Sequence, residues 1–186
     1  MEKKIMLIRH AEKPPDDNSA EGVSQAGKTD PEELIVRGWQ RAGALVRFFA
    51  PLRGFAHPAL ATPDVIFASA VAKHSSSLRP QHTVVPLSGF LGKRLNLNHA
   101  KGDEAQLVKD VLGTAGTILI SWEHKAIPDV AGLICNNTVP YPKTWPDDRF
   151  DLVWVFDRGA DTQPWVFTQV PQLLLAGDSS AVLPLA

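Results

Sequence analysis

The stretch Ile5-Met6-Leu7-Ile8-Arg9-His10 places an arginine and a histidine directly after four apolar residues. A short apolar run in a charged setting is typical of a strand that is buried in a parallel sheet. The run stops abruptly at Arg9, so the sequence predicts a first strand whose end carries a cation and an ionisable ring. A site at that end needs further polar groups from other strand ends.

Short apolar runs and helix signals alternate over the rest of the chain. Further strands are predicted at 65–68, 95–97, 117–121, 152–156 and 165–170, and helices at about 30–50, 80–91, 102–112 and 127–134. The stretch Asp30-Pro31-Glu32-Glu33 offers a cap, a first-turn proline and two carboxylates, so the first helix is predicted to begin there. Pro86 is expected to kink or shorten the second helix. The alternation implies βαβ units and an α/β fold with a largely parallel sheet.

Composition bounds the class of protein. The 186 residues, 44% apolar and 21% charged, suit one compact domain or at most two very small ones. Nineteen Lys and Arg against 20 Asp and Glu give a net charge of -1, which provides no bulk field for nucleic acid or a membrane surface. The single Cys135, the lack of an apolar run of about 18 to 20 residues and the lack of a secretory signal predict a reduced, cytoplasmic chain.

Three predicted strands end in polar groups. The first ends at Arg9 and His10, the second at Ser69 shortly before Arg79, and the central strand at Glu123 and His124. In open α/β sheets, ligands bind beyond the carboxyl ends of the strands, so these groups are expected to converge on one crevice.

Such a set of side chains suits phosphoryl transfer. An arginine presents a planar fork of donors for two phosphate oxygens, and a nearby cation lowers the pKa of an imidazole, which keeps its lone pair free for attack on phosphorus. The departing oxygen also needs a proton, so a carboxylic acid is expected at the rim of the crevice. The preferred candidates are Glu104 and Asp103, for which helix capping is an equally good interpretation.

The sequence Leu7-Ile8-Arg9-His10-Ala11-Glu12-Lys13 resembles the Arg-His signature of the histidine phosphatase superfamily, the phosphoglycerate mutase-like proteins. Further pieces follow in the family's order over about residues 4 to 135. They are the helix around Gly38-Trp39-Gln40-Arg41, the strand that ends at Ser69, Arg79 four residues before Thr83, and His124 after the apolar strand.

By this resemblance, His10 is the nucleophile that carries the phosphoryl group, and Arg9, Arg79 and His124 hold the phosphate, with Ser69 and Glu123 as further substrate-binding residues. The fold implied is a three-layer α/β/α sandwich with a mostly parallel mixed sheet, phosphoglycerate mutase-like, in a single domain over 1–186.

The proton donor departs from the pattern of one branch. Acid phosphatases of this superfamily have an aspartate directly after the second histidine, where this chain has Lys125. In the mutase-like branch the proton donor is a glutamate roughly two dozen residues after the second arginine. Glu104 lies at that distance from Arg79. Glu104 is thus the leading donor, Asp103 the alternative and Glu123 a third.

The expected activity is hydrolysis of phosphate monoesters, on a small molecule or a phosphoprotein, with selectivity set by a covering flap at 12–30 and a loop at 136–150. A phosphomutase with the same pocket and a non-catalytic phosphate-binding module are the alternatives. The histidines form no metal-like spacing, and no nucleotide-binding motif is present, so no metal and no organic cofactor is expected.

Overall fold

The computed structural model describes residues 2–17, 19–160 and 162–186, so Asn18 of the predicted flap lies outside the described residues. The six strands are β1 (Lys3–Arg9), β2 (Val65–Ala68), β3 (Leu95–Asn96), β4 (Thr117–Trp122), β5 (Leu152–Arg158) and β6 (Val166–Pro171). The four helices are α1 (Val36–Phe49), α2 (Arg79–Leu91), α3 (Glu104–Gly113) and α4 (Ile127–Cys135). In this described part of the chain, every helix is too short or too polar to span a bilayer.

One sheet contains all six strands in the order β3-β2-β4-β1-β5-β6. Strands β3, β2, β4 and β1 run parallel, whereas β5 lies antiparallel beside β1 and β6 lies antiparallel beside β5 at the edge of the sheet. The register pairs Arg9 with Trp122 and Ala68 with Ser121, so β1, β2 and β4 end at the same edge of the sheet. The predicted mixed, mostly parallel α/β sheet is confirmed, and its edge brings the polar strand ends together.

Helices cover both faces of the sheet, and the alternation of side chains along β1 shows how. Met6 and Ile8 pack in one apolar cluster with residues of α1 and α2, while Ile5 and Leu7 pack in a second cluster with residues of α3 and α4. Because both faces of β1 are buried, its sequence is continuously apolar rather than alternating. The predicted three-layer arrangement is confirmed.

The first helix begins six residues later than predicted, at Val36 instead of Asp30. The Asp30 side chain does accept a hydrogen bond from the backbone of Glu32, but the segment after it forms turns. The carbonyl groups of Pro31 and Glu33 accept hydrogen bonds from Arg79, and the N–H of Ile35 donates to the carbonyl of Glu12 rather than to that of Pro31 one helical turn earlier. The second helix, in contrast, continues through Pro86 to Leu91.

Helix α1 packs closely on the segment that follows the first strand. The backbone N–H of Ile35 donates to the carbonyl of Glu12 at 3.1 Å. A Cβ atom on Gly38 would lie 2.5 Å from the same carbonyl oxygen, so only glycine permits this approach. The glycine therefore helps to fix the backbone two residues beyond His10.

A buried ionic cluster joins that segment to the C-terminal part of the chain. The Arg41 guanidinium contacts Glu12 at 2.8 Å and Asp178 at 2.7 Å, and all three side chains are almost fully buried. Asp178 also accepts the backbone N–H groups of Leu174 and Leu175. Burial opposes the charge of Arg41, but its hydrogen bonds to the two carboxylates outweigh burial and raise its pKa. The cluster thus fixes Glu12 against the C-terminal tail.

The two glycines of α1 give a matched pair of substitutions. Gly38→Ala is expected to lower the free energy of unfolding by about 1–3 kcal/mol, because the added methyl meets backbone. Gly43→Ala, where nothing lies within 4 Å, is expected to raise it by about 0.5–1 kcal/mol through helix propensity. Urea unfolding measures both values, and equal effects at the two positions would contradict the close approach.

Asp178→Asn is expected to cost about 3 kcal/mol of unfolding free energy, because it leaves the buried Arg41 charge with only part of its compensation. Asp16→Asn is the control, since the Asp16 carboxylate is fully exposed and lies 3.5 Å from Lys13. Thermal and urea unfolding of the two variants provide the comparison. Wild-type stability in Asp178→Asn would show that the cluster does not hold the tail.

Candidate active site

His10 lies buried at the end of β1 with its ring held in one orientation. Its backbone N–H donates to the carbonyl of Trp122 at 3.1 Å, and its Nδ1 lies 2.7 Å from the carbonyl of Ala11. A carbonyl oxygen only accepts hydrogen bonds, so Nδ1 carries the proton and Nε2 keeps a lone pair. The N–H of Ala11 donates to the Thr83 hydroxyl at 2.7 Å, which ties this backbone to α2.

The surroundings of His10 keep its ring neutral. Burial is the largest cause, and together with the charge of Arg9 it lowers the pKa of His10 to about 3 against the opposing hydrogen bond to Ala11. Arg79 and His124 act in the same direction as Arg9. The ring is therefore unprotonated near neutral pH.

Arg9 is buried beside His10, and half of its guanidinium is fixed by a distant loop. Its Nη1 donates to the carbonyls of Pro146, Asp147 and Arg149 at 3.2, 2.6 and 3.0 Å. Its Cζ lies 3.7 Å from the centre of the Phe150 ring. Its Nε and Nη2 are buried and have no hydrogen-bond partner among the described residues. Those two groups are donors available to an anion, although burial lowers the pKa of Arg9 to about 10.

The structure brings the second histidine next to the first. The ring centres of His10 and His124 are 6.4 Å apart, with an angle of 81° between the ring planes. His124 lies between two carboxylates, because its Nε2 is 2.5 Å from Asp147 and its Nδ1 is 3.4 Å from Glu123. Burial, followed by the charge of Arg9, lowers the pKa of His124. The charge of Arg9 therefore disfavours the protonated form of both rings.

Arg79 begins α2 on the same side of the molecule, and its charge reaches His10. Its Nε donates to the carbonyl of Glu33 at 3.2 Å, and its Nη2 donates to the carbonyl of Pro31. Burial lowers the pKa of Arg79 against the charges of neighbouring carboxylates. Part of its donor capacity is thus used by the turn that precedes α1.

Ser69 lies at the end of β2 and its hydroxyl binds loop backbone. It accepts the N–H of Lys101 at 3.1 Å and lies 3.4 Å from the carbonyl of Ala70. These bonds connect the β2 end to the loop that precedes α3.

The three predicted acids have different surroundings. One oxygen of Glu104 accepts the Trp122 indole N–H at 3.1 Å and a backbone N–H, and Asp103 accepts the N–H of Ala100 at 3.0 Å. Glu123 alone of the three contacts a site histidine, and its Oε2 is buried without a hydrogen-bond partner in the described structure. That oxygen lies 3.4 Å from the Lys101 ammonium.

A cavity of about 530 Å³ adjoins His124. Both loops that the sequence singled out contribute to its wall, which consists of Lys13, Pro14, Pro15, Asp16, His124, Lys125, Asp147, Asp148 and Phe150. Sequence reasoning missed Asp147 and Phe150, although the adjacent acidic pair 147–148 in a loop after Trp145 was a usable signal. Over the described ranges, no cluster of three or more His, Cys, Asp or Glu side chains is arranged to hold a metal ion.

A pKa near 3 for His10 predicts a ring that stays neutral in the folded chain from about pH 8 down to about pH 4. In the unfolded chain the same ring takes up a proton near pH 6.5, so its contribution to stability is lost as the pH falls below that value. NMR titration of the ring nitrogens, assigned with His10→Ala, measures the folded state. Protonation of His10 above pH 5 would contradict the geometry.

Neither a protein-family model nor a curated protein matches the sequence. Several solved structures are similar in shape. A mycobacterial hydrolase shares 11% identity, covers 97% of this chain and 100% of its own, and has a TM-score of 0.57. A mycobacterial glucosyl-3-phosphoglycerate phosphatase shares 12% identity and has a TM-score of 0.54. The alignment covers 90% of this chain and 97% of the phosphatase.

A third similar structure is a phosphoserine phosphatase variant from Entamoeba histolytica in complex with phosphoserine. It shares 13% identity, covers 89% of this chain and 95% of its own, and has a TM-score of 0.52. At such identities the likeness extends to the fold and not to the activity. The chain therefore shares the α/β fold of these hydrolases and phosphatases, which agrees with the fold that its resemblance to the histidine phosphatase, or phosphoglycerate mutase-like, superfamily implies.

Proposed function

We propose that the protein is a phosphatase that hydrolyses phosphate monoesters through a phosphohistidine on His10. The observation that carries this proposal is the pairing of a neutral imidazole, whose Nε2 holds a lone pair, with a buried guanidinium that has two unpartnered N–H groups. A nucleophile beside donors for the oxygens of its target is the arrangement that phosphoryl transfer requires.

In the first step, the Nε2 lone pair of His10 attacks phosphorus while the ester P–O bond breaks in line. Arg9 donates from Nε and Nη2 to the phosphoryl oxygens, and Arg79 and His124 hold the same group from α2 and from the end of β4. Such fixed donors stabilise the charge that spreads over these oxygens in the transition state. Water then attacks the phosphohistidine and releases phosphate.

The alcohol must leave with a proton, and a carboxylic acid has to supply it. Glu104, Asp103 and Glu123 are the donors that the sequence suggests. Of these, Glu123 has the most favourable position, because it contacts His124, whereas Glu104 and Asp103 bind an indole and backbone N–H groups.

The proposed substrate is a small phosphorylated molecule. The phosphatases of similar fold are named for glucosyl-3-phosphoglycerate and phosphoserine. The cavity of about 530 Å³ beside His124 accommodates an alcohol of that size, while its open side leaves a phosphorylated protein side chain as a second substrate class. We place this activity in the cytoplasm, as the single Cys135 suggests.

His10→Ala is expected to abolish phosphate release while the fold survives, because the ring is a strand-end group rather than a core side chain. Wild-type protein mixed with a radiolabelled phosphate monoester and quenched in alkali should carry an acid-labile phosphoryl group that His10→Ala lacks. His57→Ala, a change at a distant loop, is the control. Phosphate release by folded His10→Ala would refute the mechanism, and an isomerised ester from the wild type would identify a mutase.

A further inference from the structure

We propose that Asp147, in the loop between α4 and β5, is the acid that protonates the leaving oxygen. This inference rests on the proposed phosphatase function and names a donor outside the three that the sequence suggests. It is based on the position of Asp147 relative to Arg9, to His124 and to the cavity.

Asp147 contacts Arg9 and His124, the two strand-end side chains that are proposed to bind the phosphate. Its backbone carbonyl accepts a hydrogen bond from Arg9 at 2.6 Å, and its carboxylate lies 2.5 Å from Nε2 of His124. The Asp147 side chain is 81% exposed and lines the cavity of about 530 Å³. Asp147 therefore lies at the boundary between the phosphoryl group and the alcohol, which is where the breaking bond must lie.

The protonation state of Asp147 depends on what His124 binds. In the free protein the hydrogen bond from His124 lowers the pKa of Asp147, with smaller contributions from Lys125 and Arg9. A phosphoryl oxygen that takes the His124 N–H removes that hydrogen bond and adds negative charge beside the carboxylate, and both changes favour protonation. The other charged groups that face it across the cavities are Lys13, Asp16, Lys143 and Asp148.

The proposed step is balanced as follows. His10 Nε2 forms a bond to phosphorus, the ester P–O bond breaks, and its electron pair goes to the leaving oxygen. That oxygen takes the proton of the Asp147 carboxyl group and departs as the alcohol. The Asp147 carboxylate then accepts a proton from water as the water oxygen attacks phosphorus, and the P–N electron pair returns to His10.

Glu123 is less suitable although it contacts the same ring. It lies at Nδ1, on the opposite edge of His124, and faces the Lys101 ammonium. Its cavity is a separate one of about 380 Å³, which Glu123 shares with Glu104 and Lys101. An alcohol in the larger cavity therefore meets Asp147 first.

The test compares Asp147→Asn with the wild type on two esters that differ in their need for an acid. An alkyl phosphate has a poor leaving group, so loss of the acid is expected to lower its kcat by about 100-fold or more. With 2,4-dinitrophenyl phosphate the 2,4-dinitrophenolate ion leaves without needing a proton, so the kcat for this ester is expected to change only a few-fold. Asp110→Asn is the control. Asp110 lies outside the candidate site, and its carboxylate forms a similar pair with His99, with 2.8 Å between Oδ2 and Nε2. Binding of inorganic vanadate to Asp147→Asn reports that the phosphate site is intact.

Equal effects on the two esters, or none, would overturn the role of Asp147. A loss confined to the alkyl ester in Glu123→Gln or Glu104→Gln, with Asp147→Asn unaffected, would assign the acid to that glutamate instead. If the wild type hydrolyses neither ester, the proposed phosphatase function is overturned, and so is the role of Asp147 as proton donor. Wild-type hydrolysis with no ester-dependent effect in Asp147→Asn would remove the donor alone.

Discussion

The site depends on how a charged guanidinium is kept at the buried end of β1. Arg9 cannot easily lose its proton, so the chain must compensate its charge by hydrogen bonds and by nearby carboxylates. Three carbonyls of the 146–149 loop and the face of Phe150 do so on one side. The charges of Asp147, Glu123, Asp148 and Glu12 act from further away. The compensation is partial, because two donors of Arg9 have no partner within the described residues.

The same charge adds to the effect of burial on the neighbouring imidazole. Burial of His10 disfavours its protonated form, and the adjacent Arg9 disfavours it further. A free imidazole in water would be partly protonated near pH 6.5 and would lose part of its nucleophilicity there. In the proposed mechanism Arg9 thus has two roles, since it attracts the phosphoryl oxygens and helps to keep the attacking ring neutral. The hydrogen bond to the Ala11 carbonyl leaves Nε2 as the nitrogen with a free lone pair.

Sequence patterns predicted the strands and most helices because each depends on local periodicity over several residues. The predicted start of α1 was wrong because the capping signals at Asp30 are local. The carbonyls of Pro31 and Glu33 accept hydrogen bonds from Arg79, a long-range contact that these signals do not contain. The pairing of His10 with His124 follows from strand ends meeting at one edge of a sheet, which topology dictates. The Arg9 contact to residue 147 joins positions that are 138 residues apart and ends in an aperiodic loop, so local periodicity could not predict this contact.

The sequence predicted one part of the candidate site and missed another, and the two parts are proposed to bind different parts of the substrate. The groups that are proposed to bind the phosphoryl unit lie within residues 4 to 135 and follow a recognisable spacing. The groups that line the cavity proposed for the alcohol come from 13–16 and 147–150, beyond or between those motifs. The C-terminal tail also fixes Glu12 through Arg41 and Asp178, so the signature segment is held by residues outside the recognisable region. In the proposed mechanism, the alcohol and its proton donor thus depend on two loops of this chain, 13–16 and 147–150, whereas the phosphoryl group depends on side chains at or near the strand ends.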